Sequence, residues 1–183
     1  FLSIDRGRAR PERAYDPSTL PLPANFRPEH PFDHGNLRGR DELLWPWPRT
    51  PEVVREGLSL YYAVISHIDQ QVGRIVAALE ASGQADNTII AFTSDHGLAI
   101  GSHGLRGKQN LYEHSVGVPM ILAGPGIEPN RRSDATIYLR DLYPTTCDLA
   151  GVPIPPTVEA RSLAPVLRGE AAPPREPAFG YFS

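Results

Sequence analysis

Eight apolar residues, Val54, Leu58, Tyr61, Ile65, Ile68, Val72, Ile75 and Leu79, recur in alternating steps of four and three. A helix turns once every 3.6 residues, so this spacing lines them along one face, which a strand with its period of two does not do. Thr50 offers a side-chain oxygen as N-cap. Pro51 suits the first helical position because the N–H it lacks has no partner there, and Gly83 is a natural stop. The pattern predicts one long helix between Thr50 and Gly83, and the stripe reads as core packing rather than as a cofactor box.

Two shorter runs flank a glycine-rich stretch beyond this helix. Ile89-Ile90-Ala91-Phe92-Thr93 and Val118-Pro119-Met120-Ile121-Leu122-Ala123 are of strand length and apolar without alternation, as expected of strands buried on both faces. The first ends on Ser94-Asp95-His96-Gly97 and the second on the turn Gly124-Pro125-Gly126. A short helix is expected from Asp141 to Ala150, with Asp141 as N-cap, Pro144 in its first turn and Gly151 past its end. Apolar strands alternating with helices predict an α/β fold, a mostly parallel sheet sandwiched by helices.

The chain divides by composition into a Pro-rich wrapping loop over 1–51, an α/β core over 52–151 and a second Pro-rich connection over 152–183. Proline removes backbone donors, so the first stretch should hold few regular elements. Phe26, Phe32, Trp45 and Trp47 within it are costly to leave in water and should lie against a folded body. Phe1-Leu2-Ser3-Ile4 reads as the tail of one strand and Ala178-Phe179-Gly180-Tyr181-Phe182-Ser183 as the beginning of another, the pattern of an internal piece of a longer protein. The sequence opens on neither an initiator Met nor a signal peptide, so the expected compartment is periplasmic, secreted or lysosome-like if the parent protein carries a signal peptide and cytoplasmic otherwise. A net charge of -3 gives no general attraction to nucleic acid. No apolar run approaches the ~20 residues of a membrane span. A single cysteine, Cys147, excludes an intrachain disulfide framework and should be a small buried helix residue.

In open α/β sheets ligands gather beyond the carboxyl ends of strands, which is where Asp95 and His96 stand. A carboxylate suits a hard divalent cation, and a neutral imidazole suits zinc or another transition metal. The other reading is that Asp95 caps a turn and His96 is a satisfied loop histidine. Lys108 follows the glycines of Gly101-Ser102-His103-Gly104-Leu105-Arg106-Gly107-Lys108. Such a loop lets backbone and a lysine approach an anion, although the Gly-Lys-Ser/Thr ending of a Walker loop is absent. An exposed flexible loop with a solvated lysine is the alternative. His103 is a weaker substrate-binding candidate, Glu113 a group to orient Lys108, and His103 and His114 otherwise simply surface histidines.

Several of these motifs together resemble the type I sulfatases. They run from the helix segment Tyr61–Ile75 through Asp86-Asn87-Thr88-Ile89-Ile90-Ala91-Phe92-Thr93-Ser94-Asp95-His96-Gly97 to Gly101-Ser102-His103-Gly104, Lys108, Tyr112-Glu113 and Val118-Pro119-Met120. Asp141-Leu142-Tyr143-Pro144-Thr145-Thr146, Ala150-Gly151 and Ser162-Leu163 follow in order. The resemblance implies an alkaline-phosphatase-like fold and metal-dependent hydrolysis of a small-molecule or carbohydrate sulfate ester. It implies a formylglycine nucleophile made from a Cys or Ser in a C/S-x-P-x-R motif, and a divalent metal, most often calcium. By position it implies that Asp95 and His96 are metal ligands, where many relatives have Asn at the place of His96, and that Lys108 is the catalytic, sulfate-contacting lysine.

The departures from the family pattern are equally specific. The C/S-x-P-x-R motif and the upstream Asp-Asp metal ligands do not occur in this chain, and Thr146-Cys147-Asp148-Leu149 does not resemble the modification motif. Ser3-Ile4-Asp5-Arg6-Gly7-Arg8 runs on toward Pro11 without the Pro-His-x-Pro stretch expected there. The chain alone is therefore expected to be inactive. Two further readings stand beside the sulfatase one: a phosphoesterase of the same superfamily with zinc or manganese at Asp95 and His96, and a catalytically dead homologue used for binding or structure.

Overall fold

The computed structural model describes residues 14–170, so the terminal strand readings and the missing Pro-His-x-Pro stretch lie outside the described residues. The apolar stripe forms one 31-residue helix, α1 (Pro51–Ala81). The Thr50 hydroxyl accepts a hydrogen bond from the Val53 N–H at 3.4 Å, and Pro51 opens the first turn. Gly83, at φ 71°, takes the left-handed conformation that ends a helix without a Cβ clash.

Two compact units make up the described chain, one of residues 14–83 and 96–118, the other of 84–95 and 119–170. In the first, Val54, Leu58 and Ile100 form a buried cluster against which Leu20, Leu22, Phe26, Trp45, Tyr61, Tyr62 and Leu98 pack. Each fully buried aliphatic side chain there contributes about 1.5–3 kcal/mol relative to exposure. Phe26 and Trp45 lie against the body as expected, whereas Phe32 is 57% exposed.

The stripe on α1 is covered only along its first turns. Val54 and Leu58 are buried, but Ile65, Ile68 and Ile75 are exposed, which corrects the expectation of core packing along the whole face. The covering segments set this limit. The Ser59 hydroxyl donates to the Tyr15 carbonyl at 2.6 Å, Tyr15 packs edge-on against Tyr62, and its hydroxyl reaches Ser66 Oγ at 2.6 Å.

The second unit carries β1 (Ile90–Thr93) and β2 (Met120–Ala123), paired antiparallel with Ile90 opposite Ala123 and Thr93 opposite Met120. The mostly parallel sheet is thus not what the described residues form. A parallel pair needs a crossover that carries the chain back to its starting edge. Here the intervening stretch holds only the short helix α2 (Glu113–Val116), and the chain re-enters in the opposite direction. No residue of either strand is buried, and Phe92 and Ile121 are 39% and 59% exposed.

Beyond them, α3 (Leu142–Leu149) and α4 (Ala164–Leu167) follow. Asp141 precedes α3 but makes no side-chain cap to it. Its buried carboxylate accepts from the Tyr138 N–H at 2.8 Å and the Arg161 N–H at 3.2 Å instead. The Thr145 hydroxyl donates to the Asp141 carbonyl at 2.6 Å and accepts from the Leu163 N–H at 2.8 Å, tying the return segment to α3. Cys147 lies half-buried on α3 rather than fully inside. No helix among the described residues is long and apolar enough to cross a membrane.

Candidate functional site

The glycine-rich stretch folds back on itself. Ala99 N donates to Gly107 O at 3.0 Å, Ile100 N to Arg106 O at 3.3 Å and Gly101 N to Leu105 O at 2.8 Å. Ser102, His103 and Gly104 close the far end, and Ser102 forms an isolated bridge with Phe26. The ladder has an open end, and the chain just before Ala99 and just after Gly107 meets there.

His96 and Lys108 face each other at that open end. Lys108 Nζ lies 2.8 Å from His96 Nε2, and His96 Nδ1 lies 3.0 Å from the Gly97 carbonyl oxygen. A carbonyl only accepts, so Nδ1 carries the proton and Nε2 presents the lone pair into which the ammonium donates. Both side chains are half-buried, so the cation is neither solvated like a surface lysine nor sealed away. Lys108 thus has a side-chain partner within the loop, where the solvated-loop reading expects none.

The remaining predicted residues are placed differently. Asp95 belongs to the second unit, just past β1, and is exposed, with Ser94 Oγ at 3.4 Å from its Oδ1. His103 engages Asn25 Nδ2 through Nε2 at 3.0 Å and stacks on Tyr112 with ring centroids 4.0 Å apart, at the closed end of the ladder. Glu113 opens α2, exposed, with its carboxylate folded toward Gly117. His114 is not a surface residue: it is half-buried and packs against Tyr112 and His103, with Nε2 sealed from solvent and unpartnered. Burial first, and then the neighbouring His103, push its pKa down to about 4.

Sequence reading passed over the group that holds the Lys108 turn. Glu42, 3% exposed, accepts from the Gly107 N–H through Oε1 at 2.7 Å and from the Arg106 N–H through Oε2 at 2.9 Å. Arg49 donates to the same Oε2 at 2.7 Å and is itself 1% exposed. The Arg49 guanidinium also donates to the carbonyls of Trp45, Pro46 and Glu42, and stacks 3.6 Å from the centre of the Trp47 ring. Burial draws the Arg49 pKa below its ordinary value, and Glu42 opposes that shift. Two opposite charges seven residues apart, flanking Trp45-Pro46-Trp47-Pro48, were the only trace of this pair in the sequence.

As metal donors, Asp95 and His96 offer a carboxylate and an imidazole, chemistry that suits part of a divalent shell. Among the described residues no group of three or more His, Cys, Asp or Glu side chains is placed to hold a metal ion.

Known proteins similar to this chain fall in one family. The family model Sulfatase matches residues 15–152. Arylsulfatase K of Xenopus laevis is 33% identical over 153 residues, covering 84% of this chain and 28% of its own length. The choline-sulfatase of Rhizobium meliloti is 40% identical over 123 residues, covering 66% of this chain and 24% of its own. Among solved structures, the phosphonate monoester hydrolase SpPMH of Silicibacter pomeroyi superposes with a TM-score of 0.75 at 32% identity, over 89% of this chain and 34% of that one. The chain therefore spans about a quarter to a third of the length of the proteins it matches.

Proposed function

This chain belongs to the sulfatase family, and on that premise we propose that the protein hydrolyses a small-molecule or carbohydrate sulfate ester with Lys108 as its anion-contacting catalytic residue. The observation that supports the reading most is the fixed Lys108 ammonium, held 2.8 Å from His96 at the open end of a buried glycine-rich ladder. A positive charge already in place, and partly shielded from water, binds a tetrahedral oxyanion. It offsets the charge that builds on the anion's oxygens as the ester bond breaks, without reorganising at that moment. Asp95 and His96 are the proposed ligands of a divalent metal, calcium by family expectation; a metal at His96 would take the Nε2 lone pair that otherwise accepts from Lys108, leaving the ammonium to the anion, and would add a second positive charge there. The formylglycine nucleophile has no matching motif in this chain and is expected from other residues of the protein.

A second reading is hydrolysis of a phosphonate monoester, favoured by the superposition on SpPMH over 89% of this chain and by an imidazole at position 96, which suits a transition metal. The two anions are both tetrahedral, so one lysine serves either. Full-length protein carrying these residues should be assayed on para-nitrophenyl sulfate and on a para-nitrophenyl phosphonate monoester, with calcium or manganese and after chelation. The first reading expects the sulfate ester to be the better substrate and activity to vanish with the metal. Preference for the phosphonate would replace the first reading by the second, and hydrolysis of neither would sink both.

A further inference from the structure

We propose that Glu42 is a positioning residue for Lys108, its buried carboxylate fixing the turn from which the ammonium reaches His96. The inference rests on the catalytic reading of Lys108 for its kinetic consequence but stands on geometry of its own. The residues on both sides of Lys108 are gripped from the Pro-rich segment. Arg106 and Gly107 are held through their backbone N–H groups by the two oxygens of Glu42, at 2.9 and 2.7 Å. Gln109 is held through its side-chain amide, which donates to Asp41 Oδ2 at 3.1 Å. A Cβ at position 107 would come within 2.9 Å of Glu42 Oε1 and 3.0 Å of the Asp41 Cβ, so the close approach depends on glycine there.

The grip carries charge as well as shape. Glu42 is neutralised by Arg49 rather than by Lys108, which leaves the lysine's donors for His96 and for an incoming anion. Asp41, next in the chain, is held below the usual carboxylate range chiefly by its hydrogen bond from Arg40, with Gln109 and the nearby Lys108 charge contributing. A long lysine side chain has many rotamers to lose, so a rigid Cα platform determines how much of its population points at the site. The segment that supplies Glu42, rich in proline and, among its described residues, with only short 3-10 turns at Pro17–Thr19 and Glu42–Leu44 as regular elements, is on this inference part of the catalytic apparatus.

The test uses Glu42→Asp, which keeps the charge but withdraws it by one methylene, since Glu42→Ala buries Arg49 unpaired and is expected to unfold the protein. In the full-length protein, Glu42→Asp should lower kcat about ten- to a hundredfold with KM within about threefold of wild type. Combined with Lys108→Ala, it should lower kcat no further than Lys108→Ala alone, because both act through one group. Additive losses, or an unchanged kcat, would overturn the proposal. Independently of turnover, amide exchange at Arg106 and Gly107 should quicken at least tenfold, and the His96 imidazole nitrogen resonance should shift as the Lys108 contact loosens. Unchanged exchange and an unmoved His96 signal would also overturn it. If no ester is hydrolysed by any variant, the catalytic reading falls, and these two spectroscopic measurements still decide whether Glu42 holds the lysine.

Discussion

The 96–108 loop and the β1–β2 pair are built against expectation in opposite senses. The loop is polar and rich in glycine, yet Ala99, Ile100, Gly101, Gly104, Leu105 and Gly107 are all buried within it. The strands are almost wholly apolar, yet none of their residues is buried in this chain. The loop is enclosed because its backbone polar groups have partners: its own ladder, and a carboxylate from the Pro-rich segment. The loop backbone can go inside because its polar groups find hydrogen-bond partners there.

The sharpest way to break the contrast is to remove the cation that neutralises that carboxylate. Arg49→Ala leaves Glu42 buried without its counter-charge, and should destabilise the protein by about 3–5 kcal/mol, read as a fall in the denaturation midpoint. Arg49→Lys should recover little, because one ammonium cannot replace the guanidinium fork spread over Glu42, Trp45 and Pro46. A stability within 1 kcal/mol of wild type for Arg49→Ala, on the scale of an ordinary surface change, would mean the loop does not depend on the pair.

Next in size is a matched pair of truncations. Leu105→Ala, in the loop and 0% exposed, should cost about 2–5 kcal/mol. Ile121→Ala, in β2 and 59% exposed, should change stability by no more than about 0.5 kcal/mol in this chain. Equal costs in urea titrations of the two variants would erase the distinction between the regions.

Lys108→Ala sharpens the comparison on the functional side. Turnover of the preferred ester by the full-length protein should fall by roughly two or more orders of magnitude, with the thermal midpoint nearly unchanged. Lys108→Arg should rescue poorly, since a planar fork does not substitute for a point charge against His96 Nε2. Wild-type kinetics in both variants would return Lys108 to the role of an ordinary loop lysine.

The smallest expected effect is on pH dependence. His114, next to the loop's aromatic stack, is held at about 4 against an ordinary histidine value near 6.5, so the unfolded chain binds a proton that the folded chain refuses. Stability should be unaffected above pH 6.5, fall as the pH drops from 6.5 to about 4 with a slope of at most one proton, and level off in this contribution below that. His114→Gln should flatten that slope; an unchanged slope would assign it to another group.

Much of the local structure was legible because local chemistry decides it. The stripe, Thr50, Pro51 and Gly83 defined α1 because helix period and caps depend only on neighbours along the chain. The two strands and the α3 helix were also placed, each a residue or two longer than observed. Strand direction was not legible, since an apolar run has no polarity of its own and pairs according to how the chain returns.

The same division runs through the candidate site. The sequence by itself singled out Asp95, His96 and Lys108, through residue type and through the company of motifs around them. It placed the last two 12 positions apart and said nothing of their meeting. Tertiary structure decided that meeting, by closing a ladder between 99–101 and 105–107 and by bringing Glu42 from 64 and 65 residues away onto the N–H groups of Arg106 and Gly107. It also turned Asp141 from an expected helix cap into a buried acceptor for Tyr138 and Arg161. A carboxylate looks the same in sequence whether it is solvated or enclosed. Its role is set by which backbone donors the fold has left without partners, and only the folded chain determines that.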